Sequence, residues 1–181
     1  MRTVSMRVKV PGTDPQRAYD LIRDFARYPE LSDVVEEVVV NPPGADGSVV
    51  SEWLVHFRKG MLKWTERDVF EPGRRVIRFV QLSGDFDVFE GQWRVEERDG
   101  GSEICLDASF DLGIPTLAEL LDPVAEASFR ANILRILSGI FDSSEDVLTE
   151  VLTPPARPGR AASMGAEGRD IPVATQHPGG N

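Results

Sequence analysis

The feature that most constrains this chain is its last long apolar stretch, residues 116–152, with a break expected near Pro123. Leu117, Leu120, Leu121, Val124, Ala127, Ala131, Leu134, Leu137, Ile140, Phe141, Val147, Leu148 and Val151 recur at three- and four-residue steps. That spacing gives a helix one apolar stripe, and the stripe needs an apolar surface to cover it. The preceding region, Val35 to Leu112, reads as strands divided by turn residues. The economical arrangement is an antiparallel sheet curled around the helix. Periodicity leaves open whether the space between them is filled or hollow.

Upstream, Val4, Met6, Val8 and Val10 share a face of a first strand that Pro11-Gly12 ends. Thr13 or Asp14 then caps a helix with Pro15 at an early position that lacks a hydrogen-bond duty, and Ala18, Leu21, Ile22 and Phe25 form its apolar stripe. Tyr28-Pro29 stops it, and Pro29 to Asp33 leaves room for one more short helix. Strands are expected at Val35 to Val40, after Asp46-Gly47 with Ser51, Trp53, Val55 and Phe57 on one face, and at Met61 to Phe70, Arg74 to Leu82, Phe86 to Arg98 and Glu103 to Leu112. Short turns at roughly ten-residue spacing argue for a meander of hairpins. The fold class is therefore α+β. After Leu152 come Pro154, Pro155, Pro158 and small or polar residues, too little apolar surface to offset ordering entropy. One domain, 1–153, and a disordered tail, 154–181, are expected.

A net charge of -10 argues against nucleic acid, whose phosphates require a basic face. No apolar run approaches the roughly 20 residues of a membrane span, and the N-terminus lacks the apolar core of a signal peptide. A cytoplasmic protein is expected. The single cysteine, Cys105, excludes an internal disulfide, and the histidines are His56 and His177 alone. Neither a metal site nor a Ser-His-Asp triad is expected from so few ligands, and no glycine-rich phosphate loop appears. No cofactor is anticipated.

Particular residues sharpen the picture. Asp24-Phe25-Ala26-Arg27-Tyr28-Pro29-Glu30-Leu31 resembles a segment that follows the first helix in polyketide aromatase/cyclases and in coenzyme Q-binding START-domain proteins. Trp64-Thr65-Glu66-Arg67, Gly84-Asp85-Phe86 and Gln92-Trp93 resemble landmarks of that superfamily's middle strands, and Arg130 to Ile136 resembles a run in the last helix of tetracenomycin-type aromatase/cyclases. The resemblance to the START-like, Bet v 1-like superfamily spans roughly residues 4–150. It implies a helix-grip fold: a curved antiparallel sheet of about seven strands around a long C-terminal helix, with two short helices after the first strand. It also implies a deep cavity for a hydrophobic ligand.

The resemblance places Arg67 in the cavity as the catalytic residue, where a guanidinium suits a carbonyl and the enolate formed during aldol closure. The strand pattern itself leaves the direction open. Met61, Lys63, Thr65, Arg67 and Val69 share one face, and Leu62, Trp64, Glu66, Asp68 and Phe70 share the other. Trp53, Phe57, Trp64, Phe79, Phe86, Phe89, Trp93 and Phe129 are candidate lining residues for a flat ligand, and Gln92 and Asn132 are candidates to hold a carbonyl. Glu90 and Asp87 are candidate general bases, with solvent as their usual fate. Where aromatase/cyclases carry a tyrosine beyond the W-P-E-L segment, this chain has Val34-Val35. Arg58-Lys59, Lys63, Arg74-Arg75 and Arg78 are the residues from which a docking patch for an acidic acyl carrier protein would be built. Two functions follow: a polyketide cyclase that closes and dehydrates a poly-β-ketone, or a non-catalytic carrier of a quinone or other lipid.

Overall fold

In a computed structural model the chain is described over residues 1–113, 118–142 and 149–150, with the backbone alone for 118–123 and 149–150. Strand β1, Arg2–Pro11, buries Val4, Met6, Val8 and Val10 in strict alternation. Asp14 caps α1, Pro15–Ile22: its Oδ1 accepts from the backbone N–H groups of Gln16 and Arg17, at 2.9 and 3.1 Å. Ala18, Tyr19 and Ile22 are the buried positions of α1, and Phe25 sits in a 3-10 turn beyond it. Tyr28-Pro29 both ends that turn and opens the short helix α2, Tyr28–Leu31.

Six strands then run as a meander: β2 Val35–Val40, β3 Val49–Phe57, β4 Gly60–Glu71, β5 Val76–Gly84, β6 Val88–Arg98 and β7 Gly101–Asp111. Every pairing is antiparallel, and β1 returns beside β7 in unbroken register from Arg2 opposite Phe110 to Pro11 opposite Gly101. With β8, Thr149–Glu150, the sheet order is β2-β3-β4-β5-β6-β7-β1-β8, so α1 and α2 carry the chain from one margin of the curled sheet to the other. This is the helix-grip α+β architecture.

Helix α3, Ala118–Ile140, fills the grip and differs from expectation in three ways. It continues through Pro123 without a break. It ends at Ile140, and Thr149–Glu150 forms a two-residue strand, β8, against Lys9 and Val8; residues 143–148, Val151 and the 154–181 tail lie outside the described residues. Its buried face also turns away from the predicted stripe: Ala125, Ile133, Ile136, Leu137 and Ile140 are buried, whereas Ala127 and Ala131 are exposed and Val124 is 42% exposed. A helix with apolar residues on most sides gives periodicity little to choose between, and packing against the sheet decides.

Gly139 sets how closely α3 approaches α2, since a Cβ there would overlap the backbone carbonyl of Leu31. Interpenetration with backbone cannot be relieved by a rotamer change. Gly139→Ala is expected to destabilise the fold by about 2 kcal/mol or more, although alanine is the better helix former. Urea unfolding followed by circular dichroism checks it, and an unchanged midpoint would refute the close packing.

Candidate functional site

Strand alternation sends every second side chain of the curled sheet into the grip. Trp53, Val55 and Phe57 come from β3, and Leu62, Trp64, Glu66 and Asp68 from β4. Phe79, Phe86, Phe89 and Trp93 follow from β5, β6 and the turn between them, while Phe129, Asn132, Ile133 and Ile136 descend from α3. Together with Phe25, Tyr28 and Leu106 they enclose a cavity of about 90 Å3. Gly91 faces inward between Phe89 and Trp93, and its missing side chain leaves room for Phe79, whose Cζ would lie 2.7 Å from a Cβ there.

The wall is a continuous run of rings. Trp53 and Trp64 lie opposite each other on β3 and β4 and stack with centroids 5.8 Å apart and planes 4° from parallel. Phe25 and Tyr28 meet Trp53 edge-on at 5.2 and 5.6 Å, while Phe89 meets Trp64 at 5.4 Å and stacks on Phe86 at 4.7 Å. Such contacts fix the rings in place and leave flat faces for a planar ligand.

Charged groups enter this wall at one place, on β4. Trp53 donates its indole N–H to Ser51 Oγ at 2.8 Å, and Ser51 donates to Asp68 Oδ2 at 2.6 Å. Trp64 donates to Glu66 Oε2 at 2.7 Å. Glu66 is 5% exposed and Asp68 0%, and they are the charged members of the lining. Asp68 Oδ1 is buried and accepts no hydrogen bond from an N–H or hydroxyl group among the described residues; the side chain that pairs with Asp68, when one of the two is protonated, is Glu66.

Burial disfavours the charged form of both carboxyls. Glu66 is pushed well above the usual carboxylate range by burial and then by the charge of Asp68. Asp68 is also raised by burial, but the Ser51 hydroxyl and Glu66 hold it down, leaving it at about 6. The two carboxyls therefore titrate as a pair that favours holding a proton between them, with Glu66 the more reluctant to ionise. Unequal neighbouring carboxyls are an acid and a base set side by side. The Tyr28 hydroxyl, raised by burial and by both carboxylates, donates to the Ile22 carbonyl at 2.5 Å.

The sequence candidates divide by strand parity. Trp53, Phe57, Trp64, Phe79, Phe86, Phe89, Trp93, Phe129 and Asn132 all line the cavity. Asn132 donates its amide N–H to the His56 carbonyl at 2.7 Å and so ties α3 to the end of β3. Arg67 and Gln92 do not line it. Both lie on the outer face of the sheet, in a groove with Val69, Arg78 and Glu90. Turning Arg67 inward would swing Trp64, Leu62 and Phe70 into solvent, because a one-residue slip flips a whole strand. Glu90 shares the outer face, and Asp87 is exposed.

Glu66, Asp68 and Ser51 were missed as site residues. Their signal was present: the β4 face bearing Leu62, Trp64 and Phe70 is the more apolar one, and accepting it as the inner face brings Glu66 and Asp68 inside. The basic residues do not form one patch. Arg58-Lys59 and Arg74-Arg75 occupy turns at opposite ends of the 12-residue β4, roughly 35 Å apart at strand rise, and Arg74 and Arg78 are paired with Glu71. Glu96, Glu103 and Cys105 bring ligand atoms within 4.8 Å of one another. Arg94 and Arg98 already pair with Glu96 at 2.7 Å each, Arg98 with Glu103 at 3.0 Å, and Arg7 donates to Cys105 Sγ at 3.2 Å, so this is an ion-pair network.

A sequence profile described as polyketide cyclase/dehydrase and lipid transport matches residues 12–136. The chain belongs to this family. No curated protein sequence matches it. Among solved structures, a Thermus thermophilus protein is 24% identical, with a TM-score of 0.69 over 77% of this chain and 95% of its own. The ZhuI aromatase/cyclase of a Streptomyces species is 20% identical, with a TM-score of 0.63 over 78% and 93%. A START superfamily protein of Mycobacterium smegmatis is 16% identical, at 0.58 over 77% and 97%. These likenesses establish the fold, and the family is one of hydrophobic-ligand proteins. No helix among the described residues is long and apolar enough to cross a membrane.

The raised carboxyls act on stability with a definite sign. A group whose pKa is higher folded than unfolded contributes most below its unfolded pKa, and that contribution is lost as pH rises through the folded value. For Asp68, moved from 3.8 to about 6, the loss between pH 4 and pH 7 is roughly 2 kcal/mol. Asp68→Asn and Glu66→Gln are therefore expected to raise the melting temperature at pH 8 and to flatten its fall between pH 4 and pH 8. Melting curves across that range check it, and a variant less stable than wild type at pH 8 would contradict the charge assignment.

Proposed function

We propose that the chain binds a flat, ketone-bearing apolar molecule in its cavity and promotes aldol cyclisation and dehydration of a poly-β-ketone, with Asp68 as proton acceptor and Glu66 as proton donor. The observation that carries this is the pair of buried carboxyls of unequal acidity set into a wall of aromatic rings. Family membership supports the reaction class.

In this scheme Asp68 takes the hydrogen from the carbon between two carbonyls, and the resulting enolate carbon attacks a ketone carbon further along the chain. Glu66 gives its proton to the oxygen that becomes a hydroxyl. Dehydration runs the exchange with the roles reversed: Glu66, now ionised, takes a second C–H proton, Asp68 returns its proton to the departing hydroxyl, and a double bond and water form, leaving the pair as it began. No electrons are gained or lost, and proton transfer by positioned carboxyls supplies on the order of a hundredfold to ten-thousandfold in rate. The volume of about 90 Å3 is below the roughly 150 Å3 of a cavity known to take up benzene. A multi-ring product therefore requires the cavity to widen.

Carriage of a quinone or lipid without chemistry is the second function, favoured by the almost wholly apolar wall. All three tryptophans of the chain, Trp53, Trp64 and Trp93, line the cavity, so a bound flat ligand is expected to quench the intrinsic fluorescence in a saturable way. In a synthase reconstituted with ketosynthase and acyl carrier protein, Glu66→Gln and Asp68→Asn are each expected to lower formation of the cyclised product by about a hundredfold. Unchanged product in both variants, with quenching retained, would leave the carrier.

A further inference from the structure

We infer that the cavity takes a small organic cation, a methylated ammonium group, seated against the indole faces of Trp53 and Trp64 with the Glu66 and Asp68 pair as its counter-charge. This rests on the reading of the cavity as a ligand site and goes beyond it in the charge of the ligand; none of it depends on cyclisation chemistry.

The interior is negative and unbalanced. Among the described residues its lining holds two acidic side chains and no lysine, arginine or histidine. Arg67, the basic residue that the resemblance places there, lies in the outer groove. No basic side chain acts on either carboxyl: Glu66 feels burial, Asp68 and hydrogen bonds from the Trp64 and Trp53 indoles, and Asp68 feels burial, Ser51 and Glu66. With one proton held between them, the two carboxyls still carry one negative charge. Hydrogen bonds from Trp64 at 2.7 Å and Ser51 at 2.6 Å spread that charge without cancelling it. Buried charges in proteins are paired, and here the partner is absent from the wall. Glu66, 5% exposed, is where the pair meets the cavity; Asp68, at 0%, acts on a ligand through its charge alone.

The rings choose among cations. A hard metal ion takes roughly six oxygen ligands or more, and beyond the two carboxyls the wall is almost wholly carbon. A primary ammonium brings N–H donors that each need an acceptor on leaving water. A methylated ammonium brings none, and its charge is spread over C–H groups that ring faces attract, tryptophan most strongly. Trp53 and Trp64 lie parallel with centroids 5.8 Å apart. Their N–H groups point to Ser51 and Glu66, so ring faces and carboxyls act at the same end of the cavity. A volume of about 90 Å3, below the roughly 150 Å3 that takes up benzene, suits so compact a group.

Calorimetric titration of the full chain at constant ionic strength tests this, with choline and with its neutral isostere, the dimethylbutanol in which carbon replaces the charged nitrogen. A merely apolar cavity prefers the neutral alcohol, so the sign of the preference decides. At pH 8 wild type is expected to bind choline about tenfold more tightly. The double variant Glu66→Gln with Asp68→Asn removes the charge, which either carboxyl left alone could still carry, and is expected to reverse the order.

Lowering the pH to 5 is expected to abolish the choline preference of wild type, because the charge of the pair is present above about 6 and is lost as pH falls through that value. The other groups facing the pair are Ser51 and Trp53 from β3, Phe79 and Gln81 opposite it on β5, and Tyr28 from α2, whose hydroxyl burial keeps un-ionised; none of them titrates between pH 5 and pH 8. Equal affinity or a preference for the alcohol in wild type at pH 8, a choline preference that survives the double variant, or binding of neither compound would overturn the inference. None of these outcomes bears on formation of the cyclised product, which tests the cyclase reading separately.

Discussion

Side chains on a strand alternate between its faces, and in β4 that alternation fixes the character of the whole interior. Leu62, Trp64, Glu66 and Asp68 share one parity; Met61, Lys63, Thr65, Arg67 and Val69 share the other. Trp64 is held inward by its stack on Trp53 and by edge contacts to Phe86 and Phe89. Once that ring is buried, two carboxyls must follow it and the arginine must stay outside. No local adjustment of a rotamer changes the outcome, because the backbone pleat sets it.

Burying the carboxyls works against stability, since each is desolvated and each disfavours the charge of the other. The protein meets this with hydrogen bonds along neighbouring strands. Trp53, Ser51 and Asp68 form one line, and Trp64 and Glu66 a second. The lines are unequal, and that inequality separates an acid from a base. The same aromatic rings that supply a flat apolar wall also provide the N–H groups that make the polar end tolerable. Groups that lower the stability of a fold while remaining fully packed are characteristic of sites kept for chemistry or binding.

Most of the architecture was legible. The alternation of Val4, Met6, Val8 and Val10, the turn residues between Val35 and Leu112, and the Asp14-Pro15 start of α1 are local signals, and each led to the right element. Helix α3 was legible in kind but not in face, because Ile133, Leu134, Ile136 and Leu137 offer apolar surface in several directions. Aromatic residues of the cavity were also legible, since large rings on strands of a hollow grip have few other places to go. Arg67 was not, because a motif matched by residue type carries no information about strand parity. A shift of one position exchanges the inside of a sheet for its outside.

The sequence by itself determined the element order, the antiparallel meander, the stock of rings and the net negative charge that argues against nucleic acid. Those follow from composition, periodicity and turn chemistry, all of which act over a few residues. Tertiary structure alone decided which face of β4 is inner, which stripe of α3 is buried, and that Ser51, Glu66 and Asp68 meet in the cavity wall. Burial is a property of the closed sheet and the helix that fills it, and desolvation, which gives the two carboxyls their unequal acidity, exists only after that closure.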